Sequence, residues 1–407
     1  MTMIAVIGAG YGDEGKGLAT DFFASQSAYE TNWVVRGNGG AQAGHTVVTP
    51  DGQRHVFGHF GAGSFLTNVH TYLAENFLVN PLVLDQEVKK FPGTKPYIVC
   101  HRNAKVTTIF DMAINSILEI SRGTKAHGSC GMGINETVTR DAAGFELRAS
   151  DLGLITLEHI VRQIKNVWVP QRLDQLGLDR SKVSVEAKQY FDILEFADTD
   201  KVANELRMLA LKNMQISSNF KVLAGERVVY EGAQGLMLDE FLGEFPHVTR
   251  SVTGLASAVK AAAEIGIKQV KPVYMTRCYA TRHGAGPLQH DGEKFCDTSI
   301  QDLTNVDNQW QGSIRYAPLN LATVAGVIEQ DTDRAECVAQ VFGIKILRPK
   351  IAVTCLDQVG ENVLIRRGTE VQWVISAQKA AQHIADSLYM DLAFESWGPT
   401  RNDVRIR

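Results

Sequence analysis

Short apolar runs alternate along this chain with stretches of helical spacing. Met3-Ile4-Ala5-Val6-Ile7 is a continuous apolar run whose length and β-branched content predict a buried strand, and Leu18-Ala19-Thr20-Asp21-Phe22-Phe23 predicts an opening helix. Asn32 to Arg36 predicts a second strand. Gln53 to Phe57 is a further strand candidate, followed by a turn-rich stretch from His59 to Ser64. Pro81 to Lys90 predicts a helix with proline at a favourable first position, and Pro96 to Cys100 a buried strand. From Asp151 to about Asn219 the spacing becomes helical with few strand candidates. The strand pattern resumes at Arg227 to Tyr230, and then come a helix over Leu255 to Ile265 and a strand over Val270 to Arg277. A helix over Asn320 to Phe342, a buried strand over Lys350 to Cys355 and a helix within Thr369 to Leu388 complete the pattern. Such alternation predicts an α/β fold with a large, mainly parallel central sheet flanked by helices. We read 1–407 as a single domain, with 151–220 a helical insertion within it. Between Asp291 and Pro318 little is periodic, and so long a loop in a compact chain usually binds something or is disordered.

Composition narrows the partners. The chain has 407 residues, 44% of them apolar and 21% charged, as in a soluble globular protein, and its formal charge of −4 makes no electrostatic case for nucleic acid or an anionic membrane. Small molecules are the expected partners. The six cysteines include no Cys-x-x-Cys pair, so neither a disulfide framework nor a zinc cluster is expected, and a reducing cytoplasm fits. No run approaches eighteen apolar residues, and the first strand starts at once, so neither a membrane span nor a signal peptide is expected.

The chemistry concentrates in two glycine-dense loops. Gly8-Ala9-Gly10-Tyr11-Gly12-Asp13-Glu14-Gly15-Lys16-Gly17 lies between the first predicted strand and helix, the arrangement in which backbone N–H groups, a helix N-terminus and a lysine hold a phosphate. It departs from the common Gly-x-x-x-x-Gly-Lys-Ser/Thr loop, because Gly17 stands where the hydroxyl would be. The blander reading is a tight connection. Carboxylates beside phosphate oxygens repel them unless a metal or a chemical task offsets the repulsion, so Asp13 points to catalysis or magnesium. The second loop, Gly37-Asn38-Gly39-Gly40-Ala41-Gln42-Ala43-Gly44-His45-Thr46, delivers an accessible histidine among small residues.

Together GDEGKG at 12–17 and NGGAQAGHT at 38–46 resemble adenylosuccinate synthetases. Further blocks follow in that family's order: GSCGMG at 128–133, EGAQG at 231–235, FPHVT at 245–249, TRHGAGP at 281–287, TCLD at 354–357 and WGP at 397–399. The resemblance implies a P-loop-like GTP-binding ligase fold and a cytoplasmic homodimer that joins L-aspartate to IMP with GTP and Mg²⁺. It implies Asp13 as the base on N1–H, His45 on the phosphate side, Lys16 as the phosphate-side cation, and Gln234 as an amide at the reacting centre. Asp13 and the carbonyl of Gly44 would hold magnesium, with Gly12, Gly15 and Gly17 in the nucleotide loop. Ser129, Cys130 and Thr249 match positions at the nucleotide 5′-phosphate. Asp357 matches the acid that reads guanine, and Gly398 of the WGP block is a further nucleotide-binding candidate. Arg140 falls near an arginine that crosses the dimer interface to the nucleotide, at shorter spacing. Arg282 is either a ribose or phosphate ligand or a solvated strand-end charge.

The chain also departs from the family pattern. Gln42 replaces the asparagine that contacts the purine, and an arginine-rich loop that grips the aspartate carboxylates is reduced to Gln309-Trp310-Gln311-Gly312-Ser313-Ile314-Arg315, leaving Arg315 as the anchor. Cys355 stands where many members have lysine. The stretch Gly398 to Val404 resembles viral relatives that act on dGMP, which would place the protein in a host cytoplasm, whereas Asp13 is a residue those relatives usually lack. The readings left by the sequence are an IMP-directed ligase, a viral-type ligase using dGMP or GMP, and a nucleotide-binding regulator without catalysis.

Overall fold

The computed structural model describes residues 1–26, 31–123, 131–300, 302 and 312–406. Strand β1 (Thr2–Gly8) is followed by the first glycine loop, helix α1 (Lys16–Ser25), β2 (Asn32–Arg36), a hairpin of β3 (His45–Val48) and β4 (Arg54–Phe57), and β5 (Val69–Leu73). Helix α2 (Pro81–Lys90) leads to β6 (Ile98–His101), α3 (Ile109–Arg122) and α4 (Ile134–Ala142). Helices α5 (Leu157–Gln163), α6 (Val169–Leu176), α7 (Val185–Phe196) and α8 (Thr199–Asn213) precede β7 (Gln215–Ser217), β8 (Arg227–Gly235), α9 (Leu255–Glu264) and β9 (Gln269–Arg277). The remainder comprises β10 (Ala280–Arg282), β11 (Arg315–Ala317), β12 (Leu319–Asn320), α10 (Leu321–Phe342), β13 (Lys345–Ile346) and β14 (Lys350–Thr354). After these come the hairpin β15 (Asn362–Arg367) and β16 (Val371–Ser376), α11 (Ala377–Ser387), β17 (Asp391–Ser396) and β18 (Val404–Arg405).

The α/β architecture expected from the pattern is present. Among the described residues the main sheet has eleven strands in the order β18-β17-β14-β9-β1-β8-β2-β5-β6-β7, with β13 paired to β9. All its pairs are parallel except β17 with β18. A central parallel strand is covered on both faces, so it reads as a continuous apolar run, and Met3, Ala5, Val6 and Ile7 of β1 are fully buried. One core packs Met3, Ala5 and Ile7 with α9, α10 and α11, while a second gathers β5 and β6 with α2, α3 and α5 to α8. On the opposite face of β1, Val6 packs with Phe22 of α1 and Phe394 of β17.

Two local differences from the sequence reading have physical causes. Helix α3 was not expected, yet it starts with a reciprocal capping box in which Thr108 and Asp111 satisfy each other's backbone N–H. The helix expected within Thr369 to Leu388 is present as Ala377–Ser387, but the strand before it, Val371 to Ser376, was not expected and is set by its in-register pairing with β15. The pairing of β1 with β8 runs from Val6 opposite Glu231 to Gly8 opposite Gly235, so β8 carries two extra residues there. That bulge sets Gln234 in the left-handed region, φ 64°, at the C-terminal edge of the sheet.

Candidate functional site

The first glycine loop leaves β1 at the centre of the sheet and is fastened by the ends of three neighbouring strands. Arg277, ending β9, donates Nε–H to the Asp13 carbonyl, and Thr354, ending β14, donates its hydroxyl to the Glu14 carbonyl at 3.2 Å. Met237, just after β8, donates its N–H to the Gly10 carbonyl at 2.9 Å. Asp13 itself has φ 57°, a conformation that costs a non-glycine residue about 1–2 kcal/mol and persists only where its surroundings impose it. The loop ends in α1 with Lys16 buried in its first turn. Glu14 is also buried, accepts the Gly10 N–H, and places Oε2 4.0 Å from Lys16 Nζ. Burial pushes the Glu14 carboxyl up to about 8 against the pull of Lys16, and burial lowers Lys16.

The second loop lies against the first. A Cβ at Gly17 would stand 2.7 Å from the Thr46 carbonyl oxygen and 3.2 Å from His45 Cβ, so glycine is required for this approach. His45 Nδ1 lies 2.5 Å from Glu231 Oε1. The other Glu231 oxygen accepts the Ala62 N–H at 3.0 Å and sits 4.0 Å from Arg36 Nε. Arg36 is anchored in turn by the carbonyls of Phe60 and Ala43, both at 3.1 Å. Burial would raise the Glu231 carboxyl, but Arg36, His45 and the Ala62 N–H outweigh it and hold it below its ordinary value. Burial lowers His45 despite Glu231. An ionised carboxylate only accepts, so it fixes the tautomer with the proton on Nδ1 and leaves Nε2 to exchange a proton with a ligand. Glu231 was missed as a functional residue, although its signal was present. It is a charged side chain closing the buried apolar run Val228-Val229-Tyr230, which demands a partner.

Two amides remain open in this region. Among the described residues, Gln234 Oε1 and both terminal atoms of Gln42 are buried without a hydrogen-bond partner. A buried unpaired polar group costs about 1–3 kcal/mol, so these atoms are suited to a ligand that supplies the missing partners. Asn38 holds the surrounding backbone, since its side chain accepts the Ala233 N–H at 2.9 Å and donates to the Ala233 carbonyl at 3.2 Å and to Ser251 Oγ at 3.1 Å.

The other expected residues are distributed unevenly. Gly12 and Gly15 have φ 96° and 82° and form the loop with Gly17. Gly44 is exposed immediately before β3. Thr249 is half-buried, its N–H bonded to the Leu238 carbonyl at 2.8 Å. Asp357 is exposed just beyond β14, where burial and Asp403 raise its carboxyl; Gly398 packs on Asp403, 2.7 Å from where a Cβ would be. Ser129 and Cys130 lie outside the described residues.

The arginines correct the sequence reading most. Arg140 is buried and grips Asp111 through Nε at 2.9 Å and Nη2 at 3.2 Å, with the carbonyls of Phe145 and Val106 at 2.6 and 2.7 Å. Its guanidinium is committed inside the fold and is not displayed to a second subunit. Arg282 is not a solvated charge: it is buried, stacks 4.3 Å over the Tyr11 ring, and donates to the carbonyls of Ala285, Pro287 and His247. Arg315 is bound to Asp291 at 2.7 Å and to the Gly284 and Gly286 carbonyls at 3.0 and 2.7 Å. It reaches an aspartate substrate only by exchanging those partners.

Among the described residues no cluster of three or more His, Cys, Asp or Glu is arranged to hold a metal, and no helix is long and apolar enough to cross a membrane. The loops match known proteins. Residues 5–309 fit the family model described as adenylosuccinate synthetase. The adenylosuccinate synthetase of Mycobacterium marinum is 30% identical over 298 residues, which is 71% of this chain and 64% of that protein. The one from Saccharopolyspora erythraea is 32% identical over 301 residues, 71% and 65% of the two chains. The match thus spans just under two thirds of these relatives' length. In structure, fully ligated adenylosuccinate synthetase from Plasmodium falciparum superposes with a TM-score of 0.72 at 19% identity, covering 100% of this chain and 99% of that one. Cyanophage S-2L succinoaminodeoxyadenylate synthetase, bound to dGMP and dATP as an energy donor, gives 0.56 at 15% identity over 100% and 95%.

Proposed function

The chain belongs to the adenylosuccinate synthetase family, and from that premise we propose that it is a GTP-dependent C–N ligase joining L-aspartate to C6 of a 6-oxopurine nucleotide, IMP first. The observation that carries this reading is the meeting, along the C-terminal edge of one parallel sheet, of Asp13, Lys16 and the His45–Glu231 pair with the unpaired amides of Gln42 and Gln234.

A purine carbonyl oxygen is a poor leaving group, so it is first phosphorylated. Asp13 takes the N1 proton, the electron pair moves onto O6, and O6 attacks the γ-phosphorus and releases GDP. The amine of L-aspartate then adds at C6, and inorganic phosphate departs with O6. A carboxylate lies several pKa units below a lactam N–H, and each unit costs about 1.4 kcal/mol, so charge must be drawn toward the phosphates. Lys16 and His45 serve that end from the protein side, while Gln234 and Gln42 orient the purine. Magnesium, when bound, adds charge neutralisation at the phosphates. Asp13 and the exposed Gly44 carbonyl would hold it, and a site with few protein oxygens, completed by phosphate and water, is what this ion takes. Asp357 reads guanine through the N1–H and N2–H pair, which adenine lacks. The protein works as a cytoplasmic homodimer in this reading.

A second reading, a 2-amino-6-oxopurine nucleotide such as dGMP or GMP as acceptor, is favoured by Gln42, a longer amide with both ends unpaired. Phosphate release from GTP in the presence of Mg²⁺ is the test. Turnover that requires both aspartate and a purine nucleotide supports the ligase, and turnover indifferent to either removes it.

A further inference from the structure

Arg277 ends β9 beside the first glycine loop, and the proposed reaction gives it no task. Its guanidinium meets three separate segments. Nε–H donates to the Asp13 carbonyl, Nη1 donates to the Tyr279 hydroxyl at 3.0 Å, and Nη2 donates to Asp302 Oδ2 at 2.9 Å. The Tyr279 hydroxyl donates in turn to Gln358 Oε1 at 2.5 Å, one residue beyond Asp357, and Thr298 Oγ1 donates to the Gln358 carbonyl. Asp302 belongs to the aperiodic stretch between Asp291 and Pro318, and its side chain and that of Arg277 are each only 7% exposed. One planar cation thus joins the first glycine loop, the segment after β14 and that aperiodic stretch. The donors of a guanidinium form a rigid fork, so a shift of one partner re-aims the other two, and a lysine ammonium, a single point charge, does not reproduce the fork. Asp13 sits at φ 57°, a conformation that persists only where its surroundings impose it. Freed of Arg277, its backbone can relax toward negative φ and turn the carboxylate away.

We propose that Arg277 is a positioning residue: it fixes the Asp13 backbone so that the carboxylate faces the purine, and Asp302 and Tyr279 hold Arg277 in place to do so. The proposal rests on reading Asp13 as the base. It ties the stretches that carry Arg315 and Asp357 to the residue that starts the reaction.

The test uses two variants of the full chain. Arg277→Lys keeps the charge and loses the fork, and the isosteric Asp302→Asn removes the charge that orients the fork. Hydrogen exchange of the ligand-free proteins, read by mass spectrometry, is expected to be about tenfold faster over residues 8–17 in both variants, with distant helices such as α8 unchanged. In the ligase assay Arg277→Lys is expected to lose about 10²-fold in kcat with KM for both nucleotides little changed. The double variant is expected to be no slower than Arg277→Lys, because Asp302 acts through Arg277. A purely structural Arg277 would lower the melting temperature and leave kcat of the folded protein in place. Unchanged exchange over 8–17 in a folded Arg277→Lys, or additive losses in the double variant, overturns the proposal. Should Arg277→Lys not fold, Asp302→Asn decides alone, and wild-type exchange over 8–17 overturns the proposal there too. Exchange needs no turnover, so the two readings fail separately. A wild type that never consumes aspartate loses the ligase reading while exchange still decides the hold on the loop, and an active ligase whose kcat ignores Arg277→Lys loses only this one.

Discussion

In the proposed ligase reaction, Asp13 is the residue on which the chemistry turns. Asp13→Asn removes the base while its backbone remains fixed by Arg277. Turnover is expected to fall by about 10³-fold or more with the melting temperature nearly unchanged, and a near-normal rate from the folded variant would contradict its role. Glu231 acts through His45. Removing its charge in Glu231→Gln lowers the His45 pKa further, because Glu231 is the group that raises it. The expected result is a loss in kcat on the order of 10²-fold, KM for the nucleotide little changed, and the alkaline limb of the kcat profile displaced to lower pH. A purely structural Glu231 would leave that profile in place. Arg140→Met leaves Asp111 buried without its partner and is expected to destabilise the fold by about 3–5 kcal/mol, read by denaturant unfolding. An unchanged stability together with a raised nucleotide KM would return Arg140 to the binding site. At this scale the two glycine loops stood out in the sequence as candidates, since small residues around a lysine or histidine leave few structural explanations. Arg140, Arg282 and Arg315 were not, because a buried arginine satisfied by carbonyls reads the same in sequence as one awaiting a phosphate.

The elements that carry the loops are tied by buried polar groups with their own pH dependence. Asp331 of α10 accepts the Leu255 N–H at the start of α9, 3.0 Å from each oxygen, and the Tyr274 hydroxyl at 2.8 Å. Burial outweighs these bonds and raises its carboxyl from 3.8 to about 6. A raised folded-state value means that the neutral form is favoured in the fold. Stability from this group is complete below about pH 3.8 and is lost as pH rises through about 6. Between pH 4 and 7 the wild type is expected to lose about 3 kcal/mol relative to Asp331→Asn, measured by urea unfolding across pH. Parallel profiles for the two proteins would contradict this. Element type was legible where the spacing was long and regular, as in α10. It was missed at β16, a strand set by its pairing with β15, and at α3, where the Thr108-x-x-Asp111 cap was the available signal.

Over the whole molecule, the parallel sheet explains how residues as distant in sequence as Asp13, His45, Gln234 and Asp357 come to lie toward one edge. Asp13, His45 and Asp357 lie in segments that follow β1, β2 and β14, and Gln234 lies at the end of β8; parallel strands put all their C-terminal ends on one edge. The alternation of apolar runs and helical stretches was enough to anticipate that sheet. The order of its strands was not legible, nor was the two-residue bulge that turns Gln234, because both are set by pairing between distant segments. The end of β14 reaches the loop through Thr354, so the region after residue 309 contributes to the site although the family match stops there. What unites these parts is the claim that the purine O6 becomes a phosphate oxygen. The most direct measurement supplies the accepted 6-oxopurine nucleotide labelled with ¹⁸O at position 6, together with GTP, Mg²⁺ and aspartate, and weighs the released phosphate. The account predicts one ¹⁸O in each phosphate formed. Unlabelled phosphate alongside the aspartyl product would contradict phosphorylation at O6 and the role given to Asp13.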